Sequence, residues 1–231
     1  MVEITTYASS SKGNLYRLTS GTSSLLLECG LPIKQIRRAL DHRLHDISGV
    51  LLSHEHMDHA KAAKDILAAG IELYCSKGTA DALGLFSHRI RIIEALNQFT
   101  IGPWIILPFE TQHDATEPLG FLIQNGRDKI LMATDTFYVQ HRFIGLTHIM
   151  IECNYSKKTL RDDMHPAQRK RLLRSHMSLE TLLKLLAAND LSTVREIHLL
   201  HLSDDNSDED MLRSTVQGAT GIPVYVGTRH S

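Results

Sequence analysis

The sequence is poor in the features that mark specialised classes of protein. It has three cysteines, Cys29, Cys75 and Cys153, far apart and in no CxxC pair. That argues against a disulfide framework or a zinc knuckle and fits a reducing cytoplasm, with each thiol reading as a small buried apolar residue. Net charge is almost nil, −1 over 231 residues, so no global field advertises nucleic acid or a membrane surface, and any polyanion site must be local. No apolar run approaches the roughly 20 residues of a membrane helix. The N-terminal "MVEITTYASSSKGN" has no basic flank leading into an apolar stretch, so it does not read as a signal peptide. Fixed-period repeats, low-complexity tracts and linkers are missing too.

What is present is an ordinary globular composition, 42% hydrophobic and 22% charged, in a chain long enough to bury a sizeable core. Strand-like runs come first: "EITTYA", "NLYRLTS" and "SSLLLEC". Helical spacing follows in "LPIKQIRRAL", with Pro32 at the first helical position, and in "HAKAAKDILAAG", ended by Gly70. "WIILPF", "LGFLIQ" and "KILMAT" read as strands, the last two flanking the hairpin signal "NGRD". "THIMIEC", "REIHLLHLS" and "IPVYV" are further strands, with helices over "LETLLKLLAAN" and "DEDMLRSTVQG". Strands interrupted by helices predict an α/β fold of packed, helix-covered sheets in one domain over residues 1–231. The unusual count is histidine, with 14.

Three of those histidines crowd into "LLSHEHMDHA", directly after the apolar run "SGVLL". His54 and His56 leave a strand two residues apart and can aim in one direction. Asp58 and His59 open the next helix, where the first turn can rotate them toward the same cavity. Imidazole and carboxylate suit Zn²⁺, Mn²⁺ or Fe. The spacing is not that of HExxH, because the second histidine it requires is Asp58 here. One strip rarely closes a site, and three other strands end in a candidate ligand: His113 after "WIILPFETQ", Asp135 after "KILMAT", and His201 in "IHLLHLS". Strand ends are where open sheets gather ligands. Taken singly, each has a bland alternative, such as a capping aspartate or a satisfied histidine near the core.

"HEHMDH", together with His113, Asp135 and His201, resembles the signature of the metallo-β-lactamase superfamily. Within it, "SSSKGN", "LLSHEHMDHA", "PFETQHDATEPLGF", "MATDT", "IECNYS", "SHMS" and "LLHLSDDNSDE", in that order, resemble the YycJ/WalJ-like branch of DNA exonucleases. A similar phage group accompanies single-strand annealing recombinases. The resemblance implies a four-layer αββα sandwich with the site at one edge of the sheets. It also implies two divalent cations, Mn²⁺ or Zn²⁺ with Mg²⁺ as a further option. His54, His56 and His113 would hold the first and Asp58, His59 and His201 the second, with Asp135 between them. The chain departs from the pattern at Glu28, where the superfamily usually has Asp, so the outer support of the histidine strip must adjust.

A water activated by two cations can attack a phosphodiester, a thioester or a lactam, and the fold alone does not choose. The resemblance sets His176, in "RSHMSLE", beside the site, where it would protonate the leaving oxygen or steady the scissile phosphate, with Asp58 the other catalytic candidate. Residues 157–174 carry Lys157, Lys158, Arg161, Arg169, Lys170, Arg171 and Arg174 against Asp162 and Asp163, a net +5. The resemblance places this segment beside the site too, and local cations on a neutral protein suit a phosphate backbone. Ser11 and Asn14 could hold phosphate oxygens. By the family pattern Asn154 and Tyr155 lie close by, with the Tyr155 ring available to a terminal base. The expectation is a cytoplasmic, membrane-free 5′-to-3′ exonuclease on double-stranded DNA in recombination, repair or replication, with a single-strand annealing recombinase as candidate partner. An RNA-processing nuclease and a small-molecule hydrolase of the lactamase or thioesterase type are the alternatives. A binding module with structural metals is a third, disfavoured because structural zinc sites are closed.

Overall fold

The computed structural model describes residues 1–160, 163–203 and 207–227. Its first sheet follows chain order: β1 (Glu3–Ser10), β2 (Gly13–Ser20), β3 (Ser23–Leu27), β4 (Ile47–Leu51), β5 (Leu73–Cys75) and β6 (Ile90–Ile92). The second holds β7 (Phe99–Ile101), β8 (Trp104–Glu110), β9 (Leu119–Asn125), β10 (Asp128–Ala133), β11 (His148–Glu152), β12 (Glu196–Leu200) and β13 (Val224–Val226). Its spatial order is β13-β12-β11-β10-β9-β8-β7.

Period-2 alternation sorts the apolar residues of each strand onto two faces. In β3, Leu25 and Leu27 point between the sheets, where they meet Trp104 and Ile106 of β8, Phe121 and Ile123 of β9 and Met132 of β10. Leu26 points the other way, onto an outer layer with Ile36 of α1 (Ile33–Ala39), Ile66 of α3 (Ala63–Ala68) and Ala80 of α4 (Lys77–Ala82). On the second sheet, Ile149 and Ile151 face α6 (Leu179–Ala187) and α7 (Glu209–Thr220) through Leu182, Leu186, Leu212 and Val216, while Met150 faces inward. Strands such as "SSLLL" and "HIMIE" read as nearly unbroken apolar runs because both of their faces are covered. The result is an αββα sandwich, as the sequence resemblance implies.

Strand direction is what positions the site. β3, β4 and β5 are parallel, and so are β10, β11 and β12. β8 and β10 both run antiparallel to β9 and therefore parallel to each other. The C-terminal ends of both sets meet at one edge of the sandwich.

Local details differ from the sequence reading where tertiary hydrogen bonds intervene. "HAKAAKDILAAG" forms two helices, α2 (Met57–Ala60) and α3, because Ala62 N–H donates to Cys29 O across the break at 2.9 Å. Pro32 is the residue preceding α1 rather than its first turn. The hairpin at "NGRD" forms as predicted, with Asn125 paired to Asp128 across Gly126 and Arg127.

Candidate metal centre

The first half of the site comes from the turn after β4. His54 is buried, His56 precedes α2, and Asp58 and His59 lie in that helix's first turn. α2 lies directly against the chain leaving β3, where Cys29 N–H donates to His59 O at 2.8 Å. This approach requires Gly30, since a Cβ there would sit 1.6 Å from Asp58 O.

The second half comes from three turns of the other sheet: His113 after β8, Asp135 after β10 and His201 after β12. Asp135 (φ 45°), His201 (φ 50°) and Glu28 (φ 65°) all occupy the left-handed region. For non-glycine residues that costs on the order of 1 kcal/mol each and persists only when the surroundings over-determine it. For His201 the over-determination is visible: its N–H donates to Ser9 Oγ at 2.8 Å, and Asn154 Nδ2 donates to its carbonyl at 2.8 Å. The turn re-aims each side chain across the sheet edge.

Seven side chains converge into two adjoining nests. In the first, His56 Nδ1 lies 3.1 Å from both His54 Nε2 and His113 Nε2, and Asp135 Oδ2 is 3.5 Å from His113 Nε2. In the second, Asp58 Oδ2 lies 3.2 Å from His201 Nε2 and 3.4 Å from His59 Nε2. Asp135 Oδ1 is 3.5 Å from His59 Nε2 and 3.2 Å from His201 Nδ1. Asp135 thus turns one carboxylate oxygen to each nest.

These residues fit divalent cations. His113 Nδ1 faces the carbonyl of Ser175, which can only accept, at 2.9 Å. The ring proton is therefore on Nδ1, and the Nε2 lone pair looks into the first nest. A single N–H on His56 could not serve both neighbouring nitrogens, whereas a cation among three lone pairs satisfies all of them. Bond lengths of 2.0–2.1 Å to tetrahedral zinc would set the nitrogens about 3.3 Å apart.

The two nests differ in charge. Burial lowers the imidazoles of His54 and His113 below their ordinary value, so both are neutral. At His59 and His201 burial works in the same direction, but Asp135 and the neighbouring carboxylates outweigh it. His59 rises well above the ordinary value and His201 is pushed up to about 10. Burial would raise the Asp135 carboxyl, yet His201 and His59 hold it well below the usual carboxylate range.

An outer ring steadies these groups. Glu28 Oε2 lies 3.4 Å from His59 Nδ1 and accepts from Ser53 N–H at 3.4 Å, so the longer side chain still reaches the histidine strip. Asn14 was expected on a substrate phosphate, but it is fully buried, and its Nδ2 lies 3.2 Å from both His59 Nε2 and Asp58 O. Asn154, also expected at the substrate, is buried and donates to the carbonyl of His201. Tyr155, expected to offer its ring to a base, is buried, and its backbone bridges to Ser178.

The cleft over the nests has a volume of 320 Å³ and is lined by Ser11, His56, Asp58, Asp135, Arg171 and His176, among others. α5 (Pro166–Ser175) roofs it through Gln168, Arg171 and Leu172. Of the expected cations, Arg169, Lys170, Arg171 and Arg174 lie on this helix, Lys157 and Lys158 are exposed, and Arg161 lies outside the described residues. Arg171 is engaged with Asp114.

One functional candidate escaped sequence reasoning. Glu152 is fully buried at the end of β11, accepts from Thr136 N–H at 2.8 Å and Met177 N–H at 3.1 Å, and meets His176 Nδ1 at 2.5 Å. Burial opposes the imidazolium, but Glu152 outweighs it and raises His176 above its ordinary value. The available signal was a lone acid closing the apolar strand "HIMIE".

A sequence profile described as "Beta-lactamase superfamily domain" matches residues 24–202. The chain is 29% identical over 229 residues to exodeoxyribonuclease YycJ of Bacillus anthracis, covering 90% of this chain and 85% of that protein. It is 27% identical over 228 residues to exodeoxyribonuclease WalJ of Streptococcus pneumoniae, covering 90% of this chain and 84% of that one. Among solved structures, the metallo-β-lactamase fold protein YhfI of Bacillus subtilis superposes with a TM-score of 0.76 at 16% identity, covering 100% of this chain and 98% of that one.

Proposed function

From the premise that the chain belongs to the β-lactamase superfamily, we propose that it is a metal-dependent exonuclease on double-stranded DNA, degrading 5′ to 3′ in recombination, repair or replication. The observation that carries this reading is a pair of His/Asp nests sharing Asp135 beneath a helix, "PAQRKRLLRS", that has four cations and no acid. His54, His56, His113 and Asp135 would hold one cation, and Asp58, His59, His201 and Asp135 the other. Mn²⁺ and Zn²⁺ are the leading choices, with Mg²⁺ a further one. When bound, such a pair supplies a water of lowered pKa and Lewis-acid stabilisation of charge at phosphorus.

The chain's own groups do the rest. His176 holds its Nδ1 proton against Glu152, which leaves Nε2–H to protonate the departing oxygen. Lys157, Lys158, Arg169, Lys170 and Arg174 offer the backbone exposed or half-exposed charge, and Ser11 offers a hydroxyl at the cleft wall. Two relatives bearing the name exodeoxyribonuclease support the choice of DNA. A lactamase or thioesterase would need a compact apolar pocket in place of this cleft walled by histidine and aspartate and roofed by Gln168 and Arg171. The three cysteines are unpaired and buried, in keeping with the cytoplasm, and no described helix is long and apolar enough to cross a membrane. A recombinase partner has only the sequence resemblance behind it.

The test is digestion of duplexes labelled separately at the 5′ and 3′ ends, with an RNA duplex of the same sequence alongside. Early release of the 5′ label from DNA is expected. Release from the 3′ label alone would overturn the polarity, preference for RNA would overturn the substrate, and no release from any duplex would overturn the nuclease reading.

A further inference from the structure

Asp114 follows His113 directly, and its carboxylate lies between the Arg171 guanidinium on the roof and the first nest. Oδ2 accepts from Arg171 Nε on the roof at 2.6 Å, and Oδ1 lies 3.4 Å from His113 Nε2, the lone pair that faces the first nest. Those are the two directions from which a phosphodiester at this cleft would be held: a guanidinium above and the first cation site below. Asp114 is 39% exposed at its side chain and Arg171 64%, so either can swing into water without stranding a buried charge. α5 buries only Ser175 and otherwise presents an acid-free cationic face, so little apolar packing resists a shift of the helix. Carboxylate and phosphate are interchangeable acceptors for the guanidinium fork.

We propose that Asp114 is a placeholder for a substrate phosphate. In the free protein it neutralises Arg171 and closes the roof onto the first nest. As the DNA strand enters, a backbone phosphate takes Arg171 from it, so that Arg171 contacts the phosphate beside the scissile one and Asp114 turns out to solvent. The exchange breaks one ion pair and forms another, with no change of covalent bonds. This rests on the nuclease reading above and adds the identity of one phosphate subsite and the group that guards it.

The sign of the prediction is unusual, because removing the acid should improve binding. The manganese-loaded protein and its Asp114→Asn, Arg171→Ala and doubly substituted forms would be titrated with a fluorescent, hydrolysis-resistant phosphorothioate duplex at low salt. Melting temperatures and manganese content would be followed in parallel. Asp114→Asn should tighten duplex binding about two- to fivefold, the strength of a half-exposed ion pair. Arg171→Ala should weaken binding and lower the slope of log K against log salt by about 1. In the Arg171→Ala background, Asp114→Asn should add nothing.

Equal tightening by Asp114→Asn in both backgrounds would reduce the effect to general removal of negative charge and overturn the exchange. Weakened binding with loss of manganese would instead make Asp114 a support of the cation site, and would overturn it equally. Arg171→Lys keeps the charge without the planar fork, so full retention of binding by that form would overturn the two-point phosphate contact. A wild-type protein that binds and cuts no duplex would overturn the nuclease reading and this inference with it; one that does so with any of the preceding results overturns the exchange alone.

Discussion

His113 donates its Nδ1 proton to the carbonyl of Ser175, 2.9 Å away on the last residue of α5. A ring of the first nest is thereby tied to the helix that roofs it. In the metal-free protein, long-range ¹H–¹⁵N spectra should show His113 as the Nδ1–H tautomer at neutral pH. Addition of zinc should then move the Nε2 resonance and leave the tautomer unchanged. An Nε2–H tautomer would remove His113 from the set of candidate ligands.

Asp135 is the shared wall of both nests. Asp135→Asn should lower bound metal at both positions, whereas His54→Ala and His59→Ala should each lower it at one. Its effect on rate should exceed the roughly 10–100-fold typical of residues that merely support a ligand. Elemental mass spectrometry after dialysis, read beside DNA digestion, checks this. Full retention of metal in Asp135→Asn would rule out the bridging position.

Glu152 and His176 form the shortest polar contact at the cleft, 2.5 Å, beside the second nest, where His201 Nδ1 lies 3.4 Å from Glu152 Oε1. If Nε2 of His176 protonates the leaving oxygen, His176→Ala should cut kcat on DNA by about 10²–10⁴-fold. The same change should have little effect on bis(p-nitrophenyl) phosphate, whose leaving group departs without a proton. An equal loss on both substrates would mean that the pair serves structure rather than proton transfer.

Asn14 links Asp58 and His59 to Tyr16, whose hydroxyl donates to Asn14 Oδ1 at 3.1 Å and meets Ser9 Oγ at 2.7 Å. Asn14→Ala should weaken the second cation by about 10–100-fold and spare the first. Calorimetric zinc titration separates the two binding steps, and equal weakening of both would contradict this placement.

Far from the site, Asp128 accepts from Val2 N–H at 2.6 Å and pairs with Arg195. Burial opposes its charge, but these partners hold its carboxyl below the ordinary value. A carboxyl depressed in the folded state contributes stability above its unfolded value, near 3.9, and loses it as pH falls through the folded value. Asp128→Asn should cost about 1–3 kcal/mol at neutral pH. The gap from wild type in urea unfolding should begin to narrow below about pH 4 and close once pH falls below the folded value. A gap that persists at lower pH would assign the loss to packing.

The histidine strip was legible because its ligands are neighbours in sequence: a strand end and a helix start aim His54, His56, Asp58 and His59 by local geometry alone. His113, Asp135 and His201 could be nominated from their positions after apolar strands, but not joined, since their meeting depends on which strands run parallel and where two sheets face each other. Period-2 alternation and unbroken apolar runs announced the layers in the same local way. Tertiary structure alone decided which polar residues face the cleft. Asn14, Asn154 and Tyr155 sit in site-like motifs yet turn inward, because strained backbone at His201 and the close approach of α2 to Gly30 need buried partners. Glu152, inconspicuous in the chain, is brought to His176 at the end of β11 by the N–H groups of Thr136 and Met177, which both donate to its carboxylate. Local spacing can specify which groups are chemically able to bind a cation; only long-range packing, which here joins residues 57 to 143 positions apart, brings them together.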